Sequence, residues 1–201
     1  ADGFGPQSIV GSPEPLLSPS WSPDGVWLLY SGDKGIKRLN LVTEEQETVV
    51  EELRLAAPAW SPDGKQIAFE SDRSGDNSIY VMNADGGDVR KISSYPSSSN
   101  PTWSPDGQII AFDADIDGDN FHELATVELT GANERVLYDP PGNKSVWAGS
   151  WAPDQSHIGF NEISYARHDQ GLFWDKAVIR AWNPDDGAVD LFPGGNEWHM
   201  M

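Results

Sequence analysis

Short apolar runs alternate with polar turn segments along most of this chain. One unit shows the pattern most clearly: residues 66–69 and 79–82 are rich in strand-forming side chains, and a polar segment, residues 71–77, separates them. Two further short runs, residues 58–60 and 89–92, flank this pair. Runs of this length bounded by Gly, Pro, Asp and Asn are typical of strands. The pattern predicts an all-β chain built from four-stranded antiparallel units.

The unit is repeated, and its most constant part is the segment Trp-Ser-Pro-Asp-Gly. This segment occupies residues 21–25, 60–64 and 103–107, and an altered copy, Trp-Ala-Pro-Asp-Gln, occupies residues 151–155. The Trp residues are therefore spaced by 39, 43 and 48 positions. A period of about 40–45 residues with short strands and many turn residues is the sequence mark of a β-propeller blade. The fold class predicted is a β-propeller of about four blades.

The repeat also predicts the domain organisation. We expect a single β-propeller domain or fragment, with an outer strand and linker in residues 1–15. The four predicted blades occupy residues 16–55, 56–96, 97–140 and 141–201, the last with an insertion at 161–176.

The repeated residues have a structural interpretation. Trp21, Trp60, Trp103 and Trp151 occur at one fixed place per blade, which favours packing between adjacent blades over a binding stripe. Ser-Pro-Asp-Gly fits a type I turn, because Pro presets the second corner and Gly suits the last position. The Asp residues of these turns are therefore expected to cap turns and not to act as catalytic acids.

The residues of the second unit resemble the WD40-like repeat of TolB-type propellers. The resemblance rests on Trp-Ser-Pro-Asp-Gly at 60–64, Ile-Ala-Phe at 67–69, Ser-Asp-Arg-Ser-Gly-Asp-Asn at 71–77 and the strand and turn at 79–86. It covers the first three units well and the fourth loosely. This repeat is specific for the fold and weak for function, since it occurs in TolB, in propeller domains of serine peptidases, in polysaccharide lyases and in bacterial surface proteins.

The repeat is interrupted at both ends of the chain. Residues 1–10 match the turn and outer strand of the second unit, and residues 194–201 stand where a fifth unit would begin. The fourth unit already has an outer strand of its own at residues 188–192. The positions at which the repeat is interrupted favour a partial ring that other chains complete, or a part of a longer propeller. They favour these over a closed ring of four blades. An open array would expose two apolar blade faces and would therefore associate.

Composition narrows the classes of partner. The chain has 32 acidic and 13 basic residues and a formal net charge of −19, which excludes nucleic acid as a partner because phosphates require clustered Lys and Arg. No apolar stretch approaches the ~20 residues of a membrane-spanning helix. Cysteine is absent, so disulfides and thiolate metal sites are excluded. The acidic charge and the resemblance together favour a periplasmic or secreted location, and the carboxylates could hold a divalent cation.

The hairpin of the third unit has candidate calcium ligands. Residues 115–123 place Asp115, Asp117, Asp119 and Glu123 at positions one, three, five and nine, with the carbonyl of Phe121 at position seven. This arrangement is similar to the calcium hairpin in the propeller of integrin α-subunits. Ca²⁺ takes six to eight oxygen ligands, which alternate positions of a turned loop can supply. The matching hairpin of the second unit has a tyrosine at position nine, so a plain hairpin is the alternative.

A second candidate site is a binding surface formed by aromatic residues. The insertion at residues 161–176 is predicted to be a long loop on the same rim as the third-unit hairpin. Side chains from this loop and its neighbours could bind a sugar, peptide or protein, and they are Tyr138, Trp147, Tyr165, His168, Phe173 and Trp174. The alternative is that these aromatic side chains pack their own loops against the blade.

No catalytic residue is assigned from the sequence. It contains no Gly-x-Ser-x-Gly segment, and its four His are scattered without metal-ligand spacing. We therefore expect a non-enzymatic interaction or structural module that binds a protein, a carbohydrate or a second copy. Two alternatives stay open: the propeller part of a serine peptidase or polysaccharide lyase with its catalytic residues outside this chain, and a self-assembling structural subunit.

Overall fold

All regular structure in the described residues is β-strand. The computed structural model describes residues 16–32, 34–168, 171–191 and 198–199. Their strands form four antiparallel sheets that follow one another along the chain, which confirms the predicted all-β fold of about four blades. The outer strand predicted within residues 1–15, and most of the unit start predicted at 194–201, lie outside the described residues.

Each sheet is a meander whose strands pair in chain order. Blade one contains β1 (Leu17–Trp21), β2 (Trp27–Gly32), β3 (Gly35–Asn40) and β4 (Gln46–Glu51). Blade two contains β5 (Leu55–Trp60), β6 (Gln66–Ser71), β7 (Ser78–Asn83) and β8 (Arg90–Lys91). Blade three contains β9 (Ser99–Trp103), β10 (Ile109–Ala114), β11 (Glu123–Glu128) and β12 (Arg135–Tyr138). Blade four contains β13 (Lys144–Trp151), β14 (Ile158–His168), β15 (Gly171–Trp182) and β16 (Val189–Leu191), and β17 (Trp198–His199) also pairs with β15.

The Pro-Asp turns connect the first and second strands of each blade, as predicted. In blade three the Ser104 hydroxyl donates to Asp106 Oδ1 at 2.6 Å, and the same oxygen accepts the Gln108 N–H at 3.0 Å. These bonds hold the pKa of the Asp106 carboxyl below its usual value. In blade four the glycine of the turn is replaced by Gln155, which adopts a φ of 63°. The turn aspartates therefore have a structural role.

The core lies between the blades and not within any one of them. Alternate side chains of each sheet face opposite neighbours, so every internal blade contributes to two apolar layers. Trp103 of blade three is only 7% exposed and packs with Ala68 and Val81 of blade two. Its indole N–H donates to the Ala59 carbonyl at 3.1 Å, and Trp151 donates in the same way to Thr102 at 3.3 Å. The predicted packing role between blades is confirmed for Trp60, Trp103 and Trp151, whereas Trp21 is 59% exposed and does not pack between described blades.

A polar contact accompanies the tryptophan at two of the joints between blades. Glu70 of β6 accepts the Asn100 N–H of the next blade at 3.1 Å, and Asp113 of β10 accepts the Ala148 N–H of the next blade at 2.9 Å. Each carboxylate stands at the end of the second strand of its blade, and each amide lies three residues before the tryptophan of the next. We refer to the tryptophan and this polar contact together as the blade joint.

The segment predicted as a long loop at residues 161–176 is instead part of a β-hairpin. Strands β14 and β15 pair continuously from Ile158 with Trp182 to His168 with Gly171, with one irregularity between Ser164 and Tyr165. The hairpin therefore continues the sheet of blade four beyond the length of the other blades. In this segment the backbone N–H and C=O groups of the two strands form hydrogen bonds with each other. In a long exposed loop most of these groups would have to form hydrogen bonds with water.

Candidate functional site

The hairpin of blade three brings together three of the five predicted calcium ligands. Carboxylate oxygens of Asp115, Asp117 and Asp119 lie within 4.8 Å of one another. Asp115 accepts the N–H groups of Gly118 and Asn120, at 2.8 Å and 3.1 Å. Asp115 is half-buried, and Asp117 and Asp119 are exposed. The geometry suits one hard cation facing solvent, and the internal hydrogen bonds are also those of a tight turn.

The other two predicted ligands stand apart from this group. Glu123 is buried, and its carboxylate accepts the Ile116 N–H at 2.9 Å. Burial raises the pKa of Glu123, and the nearby Asp117 and Asp119 charges add to that effect. Phe121 places its ring against the Tyr165 ring with centroids 5.7 Å apart. This ring contact connects the hairpin of blade three to the long hairpin of blade four.

Tyr138 of the predicted aromatic surface lies in the joint of blades three and four. Its ring packs 5.5 Å from the Phe160 ring, and its hydroxyl donates to the buried Glu162. Lys144 and Arg180 contact the same carboxylate, each at 2.9 Å. Burial and the hydrogen bond to Glu162 raise the pKa of Tyr138 to about 12. The group is an ion cluster around one buried carboxylate, and it joins two blades.

Burial by itself would raise the pKa of the Glu162 carboxyl. The hydrogen bonds from Arg180, Tyr138 and Lys144 outweigh it, so the pKa of Glu162 falls below its usual value. Glu162 is therefore a paired carboxylate, which suits a structural role better than that of a general base.

An Asp–His pair was not predicted from the sequence. Asp113 is 1% exposed, and its Oδ2 lies 2.9 Å from Nδ1 of the half-buried His122. Asp113 raises the pKa of His122, chiefly through this hydrogen bond. The same carboxylate also accepts the Asn100 side-chain amide at 3.0 Å, in addition to the Ala148 N–H. The pair could transfer protons, but its contacts are those of the blade joint.

The large exposed apolar side chains that the structure describes in blade four lie in two places. Trp147, Asn161 and Ile179 are cross-strand neighbours on one side of the sheet, and we call them the blade-four face. Trp147 is 46% exposed and Ile179 is 49% exposed. Leu172 and Phe173, also about half exposed, lie near the turn of the long hairpin, and we call them the hairpin end. His168 and Trp174 are in the paired strands, but their side chains lie outside the described part of the structure.

Comparison with protein families identifies the repeat. The family model of the TolB beta propeller domain matches residues 1–168 of the chain. This chain belongs to the TolB beta-propeller domain family. The Tol-Pal system protein TolB of Xanthomonas oryzae pv. oryzae is 47% identical over 53 residues, which are 24% of this chain and 12% of the relative. The similarity to this curated relative thus covers a small part of its length.

Two solved structures have the same architecture. TolB of Acinetobacter baumannii superposes with a TM-score of 0.75 and 21% identity, over 94% of this chain and 46% of that one. The oligogalacturonate lyase of Vibrio parahaemolyticus superposes with a TM-score of 0.65 and 15% identity, over 92% of this chain and 56% of that one. At such identities the likeness establishes the propeller fold alone. Within the described residues we find no helix with the length and apolarity that crossing a membrane requires.

Proposed function

We propose that this chain is a non-enzymatic, extracytoplasmic module that binds proteins through blade four. The observation that carries the proposal is the exposure of four large apolar side chains on this blade, and they are Trp147, Leu172, Phe173 and Ile179. The chain has a formal net charge of −19, so these side chains stand out from a predominantly acidic surface. Exposed apolar groups with a polar surround are typical of interaction sites.

The chemistry of this surface favours a protein over a carbohydrate. Sugars are held by aromatic faces together with hydrogen-bonding groups, whereas the exposed side chains of the hairpin end are the aromatic Phe173 and the aliphatic Leu172, whose cross-strand partners are Ala166 and Arg167. The blade-four face likewise pairs an aromatic side chain with an aliphatic one. A mixed aromatic and aliphatic patch is what the buried core of a protein interface requires.

The family relatives support the class and location of the proposed function. The sequence relatives are named as proteins of the Tol-Pal system, which supports a role in a multiprotein system outside the cytoplasm. The likeness to an oligogalacturonate lyase is one of fold only, and it supplies no reason to propose catalysis.

The proposal includes a calcium ion at the hairpin of blade three. Asp115, Asp117 and Asp119 would hold it, and water and backbone oxygens would complete the coordination. The ion would offset two of the three negative charges of these neighbouring carboxylates. It would thereby stiffen the hairpin, whose Phe121 contacts the long hairpin of blade four through Tyr165.

Site-specific photocrosslinking tests the proposed function. A benzophenone amino acid would replace Leu172 in one variant and Val42 in a control, since Val42 is also exposed but lies in a turn of blade one. Both variants would be expressed in the organism that encodes the chain, and adducts would be identified by mass spectrometry. We expect a discrete protein adduct at position 172 and not at 42. Equal labelling at both positions, or none, would contradict the proposal.

A further inference from the structure

Among the described residues, blade one presents one half of a blade joint without its counterpart. Trp21 stands at the same place as Trp60 and Trp103, yet it is 59% exposed. It pairs across the sheet with Leu28, whereas the adjacent Leu29 packs against blade two. Neighbouring residues of a strand point to opposite faces, so Trp21 lies on the face turned away from blade two.

Blade four presents the other half. The pair formed by Asn161 and Ile179 occupies the place that Glu70 and Ile79 occupy in blade two, and that Asp113 and Leu124 occupy in blade three. In those two blades the apolar member of the pair is completely buried against the next blade, whereas Ile179 is 49% exposed. The blade-four face therefore has the pattern of a surface that receives another blade.

The small residues of the joint are also present on blade four. Ala68 and Ala111 lie in the layers where Trp103 and Trp151 pack. The corresponding residue of blade four is Gly159, whose cross-strand partner is Ala181. The carbonyl that would match those of Ala59 and Thr102 belongs to the exposed Ser150. Together these groups form a shallow seat for an indole ring, in which Gly159 is partly exposed and Ala181 is 6% exposed, and the exposed Asp190 lies beside Ala181 on the next strand.

Blade one also carries the backbone feature that makes the polar contact. Asn100, whose N–H donates to Glu70, has a φ of 52° at an irregularity of β9. Ser18, which likewise lies three residues before its tryptophan, also has a φ of 52° at an irregularity of β1. The Ser18 N–H is thus placed as the Asn100 N–H is placed in the internal joint.

We infer that blade one of one copy docks on blade four of a second copy, head to tail. Trp21 lies over Gly159, the Trp21 indole N–H donates to the Ser150 carbonyl, and the Ser18 N–H donates to the Asn161 side-chain oxygen. The inference rests on the proposed function, because it names the occupant of the blade-four face. A second copy is favoured because the contact continues the internal joints already seen in the chain, and because both halves are present in the same molecule. Asn161 replaces a carboxylate here, so this polar contact buries no charge.

A head-to-tail contact has two different halves, so it repeats until a ring closes, or it extends as a chain. Two copies that each carry a formal charge of −19 repel at long range, and salt shortens the range of that repulsion. Association is therefore expected to strengthen as the salt concentration rises. Contacts held mainly by ion pairs would weaken instead.

Sedimentation velocity of the purified chain tests the inference. We expect the sedimentation coefficient to rise with protein concentration and with salt. Trp21→Ala and Ile179→Glu should each weaken association by about 30-fold or more, the effect typical of an interface hot spot. Val42→Glu is the control for Ile179→Glu, because it adds the same charge to another exposed apolar position. Circular dichroism and thermal melting would verify that each variant is folded.

Mixing the two weakened variants tests the head-to-tail geometry itself. Trp21→Ala keeps an intact seat on blade four, and Ile179→Glu keeps an intact tryptophan on blade one. An equimolar mixture should therefore form a dimer that cannot extend, although each variant alone is monomeric. A mixture that stays monomeric, or a wild-type chain that is monomeric at every concentration, would overturn the inference. Crosslinking of a different protein at position 172 would leave the proposed function standing in that case.

Discussion

Asp113→Ala should weaken the joint between blades three and four more than any exposed substitution. The Asp113 carboxylate accepts hydrogen bonds from Ala148 N at 2.9 Å and from Asn100 Nδ2 at 3.0 Å, and it contacts His122 Nδ1 at 2.9 Å. Three elements that are distant in sequence therefore depend on one side chain. Alanine would remove the acceptor and leave a small void in a site that is 1% exposed.

The magnitude follows from these contacts. Each hydrogen bond to a charged group contributes about 1.5–3 kcal/mol, and breaking a buried ion pair costs about 3–5 kcal/mol. His122 and Asn100 are only half-buried, so water can replace part of what they lose. We therefore expect the free energy of unfolding to fall by about 3 kcal/mol. For a chain of this length the melting temperature should fall by about 6–12 °C.

Urea unfolding followed by tryptophan fluorescence would measure the effect. Asp113→Asn is the matched control, because its side-chain oxygen can still accept the Ala148 N–H while the negative charge is lost. We expect Asp113→Asn to fall between wild type and Asp113→Ala. A loss below about 1 kcal/mol for Asp113→Ala, the size of an ordinary surface effect, would refute the assigned role.

Three further predictions concern the calcium hairpin, the backbone of blade four and the turns. Calcium at about 100 times its dissociation constant should stabilise the chain by about 2.7 kcal/mol, and Asp117→Ala should abolish this gain. The same melting temperature with calcium and with chelator would contradict the site. Gly149→Ala should destabilise the chain by about 1–3 kcal/mol, because the added Cβ would lie 2.5 Å from the Gly159 carbonyl oxygen. Gly159→Ala is the control and should be tolerated, because its Cβ would lie 3.6 Å from the nearest atom. Equal melting temperatures of the two variants would count against this packing. Hydrogen bonds from Ser104 and Gln108 lower the pKa of Asp106, so its stabilising effect is present above the ordinary value of 3.8 and is lost as the pH falls below it. The free energy of unfolding of Asp106→Asn should therefore depend less steeply on pH in this range than that of the wild type. An unchanged slope would contradict the assigned role of Asp106.

The strands and their turns could be predicted because their causes are local. Pro62 and Gly64 fix the geometry of one turn by themselves, and the alternation around Ile67 specifies which side chains face a neighbouring blade. The tryptophans were predictable for a different reason. A residue that recurs once per unit has the same surroundings in each unit, so its role can be inferred from the period.

The departures from the repeat could not be predicted in the same way. Residues 161–176 contain one short turn signal, Asp169-Gln170-Gly171, without a regular alternation on both sides of it, and their pairing depends on a register that β14 and β15 establish together. Asp113 and His122 are nine residues apart, and only the hairpin between them brings their side chains into contact. From the sequence, Tyr138 was predicted to belong to a binding surface. Its hydroxyl instead donates to Glu162 of the next blade, a contact that the local sequence does not indicate.

Oxidative footprinting of the purified chain would test most directly the claim that blades one and four carry the two halves of one joint. Hydroxyl radicals oxidise exposed Trp and Phe side chains, and mass spectrometry measures the rate at each position. As the protein concentration rises, Trp21 and Trp147 should become protected together, while Phe173 at the hairpin end keeps its rate. Rates at Trp21 and Trp147 that do not change with concentration would contradict the account.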